Sequence, residues 1–505
     1  MPHSVGFLLS AAVTLRKETG MNRREFSKNS VLLGVGALAG FPKGSQAQAR
    51  SQSGDYYEEP AKKLPVRKFD VVVVGAGTGG VVAALAAAKQ GAKTMLIERK
   101  GYTGGTVTEG GTALHSFYNL WKAFPGVKKR QVVRGIPQQI IDRLMAVGGC
   151  SGHAEMVRGY DYDSVCTAID TELYKLVTMQ MLDEAGVFIA VNTLLTGAIM
   201  DDSRIRGAIV DSRSGREAIY ARAFVDCSAY GDLAAFAGAD YRVPNDYACC
   251  NSIGLANVDL DGYVAHLEAH GGSNQLAYGM RSGEPGKVVR FNGGLGGEFQ
   301  KEARKIGMSS MITTVHDNYL MFVKCNFKVP GSVISRDDMA KAELEVRKRQ
   351  TKAVELFRKY VPGCKKAFMA RTSPTLNIRR GRLLTCDYDI SHEDVIEARH
   401  FDDDVMAYGF HDSAPRYQVK NGGTYGIPFR ALRVAGIENL LAAGMLITSD
   451  YRAHMSTRNT VSCMGQGQAT GTAAALCAEK NCGTRELRYS DLRAALVKGG
   501  VYFES

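Results

Sequence analysis

The clearest pattern of hydrophobic positions lies close to residue 70. Residues 71–74 are all valine, an uninterrupted apolar run that is typical of a parallel strand buried on both faces. An alanine-rich stretch follows as far as Gln90, and after Gly91 a second apolar run covers residues 94–97. Strand, helix and strand in this order predict a βαβ unit of a parallel sheet.

The residues between the first strand and the helix read G-x-G-x-x-G. Gly75 allows a tight turn, Gly77 lets backbone approach a pyrophosphate, and Gly80 permits close packing of the helix. The helix N-terminus then faces the phosphates. Glu98 ends the second strand, where a carboxylate accepts hydrogen bonds from an adenosine ribose. The complete order predicts dinucleotide binding, and the carboxylate argues against the 2′-phosphate of NADP.

The N-terminus has a different pattern. Arg23-Arg24 opens the order R-R-x-F-x-K, a weakly apolar run too short to span a bilayer follows, and residues 47–49 read A-Q-A. This resembles a twin-arginine signal, which exports folded proteins; a Sec signal or a basic tail is the alternative. We therefore expect residues 1–49 to be a signal peptide, with Met21 as a candidate start, and the mature protein to be periplasmic or otherwise extracytoplasmic.

Composition excludes several classes of protein. The chain has 505 residues, of which 45% are hydrophobic, so it can bury a large core and is not mainly disordered. Its net charge is +12, but residues 1–49 alone hold six basic and two acidic side chains, and the rest of the charge is dispersed. We therefore expect no nucleic-acid partner. Past the signal no stretch is long and apolar enough to predict a membrane span.

The spacing of cysteines, histidines and acids predicts no metal centre. The eleven cysteines are widely scattered without a C-x-x-C pair, which is unlike a disulfide framework or an iron–sulfur motif. No histidine or acidic cluster has the spacing of a zinc or calcium motif.

The residues after Glu98 carry a family resemblance. Gly104, Gly105 and Thr106 follow that acid closely, and here the sequence resembles the large FAD-dependent oxidoreductase group of the glutathione-reductase type. In that group a glycine doublet passes near the flavin. The resemblance is closest to the branch related to the flavin subunit of heterodisulfide reductase, and more distant to the fumarate reductase flavoproteins. Ser228 and Asp232 lie where the family has the pattern A-T-G-D-G-D.

The C-terminal third matches the same group. The family has a strand ending in A-G-R and then a helix opening with G-Q-A-x-G-x-A-A-A; here Met445 replaces the arginine. The resemblance implies a helix that begins near Gly467 and directs its N–H groups at the flavin. It implies FAD rather than NAD. The cofactor-binding residues that it assigns in this third are Gly444, Gly467, Gln468, Gly471 and Thr472.

The resemblance also implies the fold. We expect an α/β protein with a discontinuous Rossmann-type FAD/NAD(P)-binding domain and an inserted α+β substrate domain. The expected parts are a signal peptide at 1–49, a linker at 50–66, FAD-binding segments at 67–240 and 421–485, the inserted substrate domain at 241–420 and a C-terminal tail at 486–505.

Three side chains are the candidates for catalysis. His454 and Arg458 lie just before the flavin-facing helix, in keeping with a proton donor and an anion clamp. Arg382, in an R-x-x-R segment with Arg379, resembles a clamp for an anionic substrate or the cofactor. His115 does not clearly match the histidine that carries covalent flavin in fumarate reductases, so we expect non-covalent FAD.

These observations predict an exported FAD-dependent oxidoreductase that transfers a hydride between a small organic substrate and flavin N5. One alternative is an electron-transfer subunit with an iron–sulfur redox partner. A 4Fe-4S cluster in the chain itself follows only from family association, because the cysteine spacing does not support it. A second alternative is a non-redox protein that retains the FAD fold.

Overall fold

The computed structural model describes residues 56–504, apart from 121–127, 160–162, 271–272, 294, 310, 415 and 421–422. The predicted signal peptide and the first residues of the predicted linker lie outside the described residues.

A five-stranded parallel sheet, the core sheet, lies at the centre of the largest hydrophobic core. Residues 71–74 form its middle strand because four consecutive valines suit a strand that is covered on both faces. Every neighbouring pair of strands is parallel. The strand order is Leu440–Ala442, Ala223–Asp226, Val71–Val74, Thr94–Ile97 and Phe188–Ala190. Since one edge strand comes from the C-terminal third, the predicted α/β fold with a discontinuous Rossmann-type domain is confirmed.

Two helices pack tightly on the core sheet: the nucleotide helix, Thr78–Lys89, and the glycine-rich helix, Thr460–Lys480. A Cβ at Gly467 would lie 2.1 Å from the carbonyl oxygen of Gly79, and one at Gly471 would lie 2.0 Å from that of Ala83. The glycines therefore let the two backbones touch. The expectation that this helix begins near Gly467 is wrong, because it begins about two turns earlier, at Thr460.

A second layer is built from a six-stranded sheet and a four-stranded sheet. The six-stranded sheet combines strands from both sides of the predicted boundary at 240, because the chain leaves the core sheet after Ile97 and returns to it at Phe188. Its order is Met311–Thr313, Glu284–Gly293, Ser273–Arg281, Ala154–Arg158, Val165–Ala168 and Leu114–Ser116. The four-stranded sheet beside it has the order Met308–Ser309, Tyr319–Phe327, Cys249–Ala256 and Phe368–Thr372. The domain boundaries themselves stay predictions.

The remaining elements surround these layers. A four-stranded sheet contains Val66–Lys68, Gly215–Tyr220, Arg204–Ser212 and Leu194–Asp201, and the two-stranded pairs are Tyr241–Arg242 with Leu383–Leu384, Asp404–Tyr408 with Tyr425–Pro428, and Asn119–Leu120 with Arg130–Gln131. The other helices are Ile136–Ala146, Thr171–Glu184, Asp232–Phe236, Leu260–Ala269, Gly297–Lys305, Arg336–Tyr360, His392–Ile396, His454–Thr457 and Tyr489–Lys498, with a 3-10 turn at Phe429–Leu432. Within the described residues, no helix combines the length and apolar character needed to cross a membrane.

Candidate functional site

The loop after the first strand combines a tight turn with free space beside Gly77, which we call the Gly77 groove. Gly75 has φ +92°, and a Cβ there would lie 2.5 Å from the carbonyl oxygen of Cys227. A Cβ at Gly80 would lie 1.8 Å from the carbonyl oxygen of Gly75. The protein's own packing therefore requires glycine at both positions. Gly77 differs, because its φ is −66° and the atom nearest to a Cβ there would be Gly105 Cα, 3.9 Å away.

The space beside Gly77 fits a negatively charged group. The nucleotide helix begins there without a side-chain cap, and its first turn contains no acidic residue. Its first backbone N–H groups and positive dipole end are thus available to an anion. Close backbone approach and free N–H donors are what the pyrophosphate of a dinucleotide requires.

Glu98 and the glycine doublet meet this loop, as the motif predicts. The Glu98 carboxylate accepts hydrogen bonds from the backbone N–H groups of Ala76 and Lys100, both at 2.8 Å. Because an ionised carboxylate accepts about four hydrogen bonds, it retains capacity for a ribose. Gly104 donates its N–H to the carbonyl of Ala76 at 2.8 Å and forms a parallel bridge with Gly77.

The segment after the strand Ala223–Asp226 is held together by its own polar groups. Ser228 Oγ donates to the buried Asp226 carboxylate at 2.7 Å and accepts the backbone N–H of Asp232 at 2.9 Å. Arg382 then donates to the Asp232 carboxylate at 2.8 Å and to the carbonyl of Tyr230 at 2.9 Å. Arg382 is therefore engaged in fixing this loop, and contact of Ser228 and Asp232 with a cofactor stays a prediction.

In the C-terminal third, only some of the predicted residues face open space. Gly444 has φ +112°, no atom lies within 4 Å of the place that a Cβ would take, and its N–H donates to Gln466 Oε1 at 2.8 Å. Gln468 instead links two protein segments, since it accepts the N–H of Ile136 at 3.0 Å and donates to the carbonyl of Gly499 at 2.8 Å. Gly467 and Gly471 touch the nucleotide helix, and Thr472 is buried. These contacts give the two helix glycines and Gln468 a role in packing.

A cavity of about 240 Å³ lies where the second layer meets these segments. Thr106 after the glycine doublet, Met445 after Gly444, and Asn459 and Thr460 at the start of the glycine-rich helix all line it. Four basic side chains line it as well, and we call it the cationic cavity. They are Arg290, Lys324, Arg379 and Arg458.

Three of these cations are held by polar neighbours. Arg458 forms an ion pair with Asp412, the one carboxylate among the described residues that line the cavity. Arg379 donates to Asn326 Oδ1 at 3.3 Å. Arg290 donates to Thr313 Oγ1 at 3.1 Å and to Gln275 Oε1 at 2.5 Å.

The fourth cation, Lys324, has a different environment. It lies on the strand Tyr319–Phe327, and no hydrogen bond or ion pair joins its ammonium to another described residue. Burial lowers its pKa from the ordinary value of 10.5, and the positive charges of Arg379 and Arg290 lower it further. Cys250 and Asp412, which also face the cavity, act in the opposite direction.

The start of the glycine-rich helix adds positive potential to the cavity. The Asn459 side chain turns back and donates to the carbonyls of Met455 at 2.8 Å and Ser456 at 3.0 Å. It therefore leaves the first N–H groups of the helix without a side-chain cap. Those groups and the positive end of the helix dipole favour a negative charge near Thr460.

His454 is buried beside the cavity and does not line it. Its Nε2 lies 2.8 Å from the carbonyl oxygen of Arg379, and its Nδ1 lies 3.2 Å from Ser449 Oγ. Burial holds the pKa of His454 well below its ordinary value, so the ring is neutral. A neutral ring with both nitrogens bonded positions Arg379, and proton donation to a substrate stays a prediction.

Sequence reasoning missed two of the four cavity cations. Arg290 and Lys324 lie on strands of the second layer, in a segment without a recognised motif. One signal was present, because Lys324 interrupts the apolar run of residues 320–325, and a lysine within an apolar strand is unusual. For metals, the described residues contain no group of three or more histidines, cysteines or acids placed to hold an ion.

Comparison with known proteins gives short stretches of moderate identity. Over 97 residues the chain is 34% identical to a 3-oxosteroid 1-dehydrogenase of Mycobacterium tuberculosis, and over 119 residues it is 34% identical to a digoxin reductase of Eggerthella lenta. These matches cover 19% and 22% of this chain but only 16% and 21% of the relatives. Among solved structures, a geranylgeranyl bacteriochlorophyll reductase-like protein of Thermoplasma acidophilum aligns with a TM-score of 0.44 and 13% identity, covering 86% of this chain and 84% of that one.

One match extends over most of the chain. The model of the family described as FAD dependent oxidoreductase matches residues 70–496. This range runs from the first strand of the core sheet to the helix Tyr489–Lys498 and includes both the Gly77 groove and the cationic cavity. The chain therefore belongs to the FAD dependent oxidoreductase family.

Proposed function

We propose that the protein is an exported oxidoreductase that binds FAD non-covalently and transfers a hydride between a small organic substrate and flavin N5. The observation that carries the proposal is the position of the cationic cavity. The family resemblance places the glycine doublet before Thr106 and the strand end before Met445 near the flavin, and both segments line the cavity together with the start of the glycine-rich helix at Thr460. A substrate in this cavity would therefore lie against those segments.

The chain's own residues divide the binding of FAD between two regions. The Gly77 groove and the N-terminus of the nucleotide helix would hold the pyrophosphate, and Glu98 would hold the adenosine ribose. Bound FAD supplies a ring that accepts or gives a hydride. The positive end of the glycine-rich helix would stabilise the negative charge that reduction adds to that ring.

At the substrate end, arginines would bind and orient the substrate, and buried groups hold those arginines in position. Arg458, fixed by Asp412, would hold the substrate. His454 would act through Arg379, whose backbone carbonyl it holds. Arg382 would stabilise the loop that contains Ser228 and Asp232.

The relatives do not supply the substrate. Two of them are named for 3-oxosteroids and digoxin, but the matches cover only about a fifth of each. The cavity here has a volume of about 240 Å³, which is below the 300 to 1,000 Å³ that drug-sized ligands occupy. A small substrate suits it better than a steroid.

Anaerobic reduction tests the proposed reaction. We expect purified, flavin-containing protein to bleach when small organic donors are added, or the reduced protein to be reoxidised by small acceptors. Arg458→Gln should slow the reaction about 10- to 100-fold if Arg458 holds the substrate through a charged hydrogen bond. Arg452→Gln is the matched control, because Arg452 is exposed on the same segment and does not line the cavity. Bleaching only through an iron–sulfur protein would favour the electron-transfer alternative instead.

Export is a separate part of the proposal. It is supported by the order R-R-x-F-x-K at Arg23-Arg24, the short apolar run and the A-Q-A triplet at 47–49. Replacing both arginines by lysine should leave the precursor in the cytoplasm. Cell fractionation of the two forms measures this, and unchanged export of the double variant would contradict twin-arginine transport.

A further inference from the structure

We propose that the cationic cavity binds a small organic acid through its oxyanion group and that Lys324 is the main contact to it. The inference rests on the proposed function in placing the substrate in this cavity, and it names the substrate's chemical class. It is independent of the direction of hydride transfer.

The charge of the cavity wall is the first argument. Four basic side chains face one described carboxylate, and that carboxylate, Asp412, is already paired with Arg458. The start of the glycine-rich helix at Thr460 adds a further positive end without a side-chain cap. A cavity with this potential attracts anions and repels cations.

Lys324 is the second argument. Five of the other eight residues of its strand are buried, and burial lowers the pKa of Lys324, so its ammonium has lost part of its hydration. No described carboxylate forms an ion pair with it; Asp412 acts on it only from its own pair with Arg458, and the other charged groups around it include the cations Arg379 and Arg290. An ammonium in such a place is costly unless an anion balances it. A bound oxyanion would supply both the charge and the hydrogen-bond acceptors.

The rest of the lining limits the size and shape of this anion. Phe322, Phe410 and Met445 form apolar wall, whereas Asn326 and Asn377 add amide groups. With a volume of about 240 Å³, the cavity suits a short carbon skeleton that ends in an oxyanion. Arginine and lysine bind both carboxylate and phosphate, so the shared feature is the oxyanion, and we expect a carboxylate.

Calorimetric titration of the purified protein tests this without turnover. The probes are succinate, ethyl phosphate and the uncharged succinamide. We expect succinate to bind at least about 10-fold more tightly than succinamide, because a hydrogen bond to a charged group contributes about 1.5–3 kcal/mol. Tighter binding of ethyl phosphate than of succinate would support the oxyanion site and make a phosphate ester its ligand. Equal binding of succinamide, or no binding of either anion, would overturn the proposal.

Variants of one strand locate the site. Lys324→Met should weaken succinate binding about 10- to 100-fold, and Lys324→Arg should recover most of it. Lys328→Gln is the matched control, because Lys328 is exposed just beyond the same strand and does not line the cavity. Melting curves report whether each variant is folded. Equal weakening in Lys328→Gln, or unchanged binding in folded Lys324→Met, would refute the role of Lys324.

The outcomes separate this inference from the proposed function. Flavin that is bleached by a small donor, in a protein that binds neither anion, would overturn the anion site and leave the oxidoreductase proposal standing. Anion binding that depends on Lys324, in a protein that takes up no FAD, would overturn the oxidoreductase proposal and leave the anion site standing.

Discussion

Replacing Gly77 by alanine separates cofactor binding from folding. At this position φ is −66°, which alanine adopts freely, and the new Cβ would meet nothing closer than Gly105 Cα at 3.9 Å. Alanine is a poorer N-cap than glycine by roughly 0.5–1 kcal/mol. It also lowers the conformational entropy of the unfolded chain, which stabilises the folded protein by about 0.4–1 kcal/mol. The free energy of unfolding of the apoprotein should therefore change by less than about 1 kcal/mol.

FAD affinity should respond far more strongly to the same substitution. The added methyl group occupies the groove in which backbone N–H groups of the nucleotide helix would meet the pyrophosphate. Loss of one charge-assisted hydrogen bond costs about 1.5–3 kcal/mol, which is about 10- to 100-fold in Kd. Titration of the apoprotein with FAD, followed by flavin fluorescence, measures this change.

Gly80→Ala is the contrasting variant in this experiment. Its Cβ would lie 1.8 Å from the carbonyl oxygen of Gly75, so the protein itself must shift, at a typical cost of about 1–3 kcal/mol. We thus expect Gly80→Ala to lower both the melting temperature and FAD affinity, and Gly77→Ala to lower affinity alone. A Gly77→Ala protein that binds FAD as tightly as wild type would refute the assignment of the groove to the pyrophosphate.

Three further predictions concern packing, pH and the ribose contact. Gly467→Ala should destabilise the protein by about 1–3 kcal/mol in a denaturant titration, because its Cβ would lie 2.1 Å from the carbonyl oxygen of Gly79; an unchanged midpoint would contradict close packing of the two helices. Succinate affinity should fall as pH rises through the lowered pKa of Lys324, because the ammonium is lost there; calorimetry across pH should show this fall in wild type and not in Lys324→Met. Glu98→Ala should reduce FAD affinity about 10-fold or more, measured by the same fluorescence titration, and wild-type affinity would exclude a ribose contact.

The part of the fold that sequence predicts well is the part encoded locally. Residues 71–80 contain strand, turn and helix start in one continuous pattern, and the motif glycines Gly75 and Gly80 have a steric reason in the structure. Glu98 lies at the end of the next strand and reaches the same loop. Short-range hydrophobic periodicity and turn chemistry suffice for such a unit.

The cationic cavity depends on contacts that are distant in sequence. Lys324 and Arg290 come from strands whose pairing brings them towards Arg458 and the glycine doublet. Strand register across such separations has no local signature beyond alternation. In the sequence, only the lysine within an apolar strand indicated that a charged group faces a site at this position.

For the glycine-rich helix, the expected start was wrong by about two turns. The family resemblance assigns Gly467 and Gly471 to the cofactor, because glycines at a helix start allow close approach. In the structure the helix starts at Thr460, and these glycines allow close approach of the nucleotide helix, while their contact with a cofactor stays a prediction. The glycines indicate that another backbone comes close at these positions. Only the tertiary structure shows which backbone it is.

The flavin content of the purified protein tests the central claim most directly. Protein is denatured by heat or acid, and the released flavin is separated and quantified against polypeptide. We expect close to one FAD per chain, all of it released, because binding is proposed to be non-covalent. A colourless protein that takes up no FAD after incubation with an excess would contradict the account.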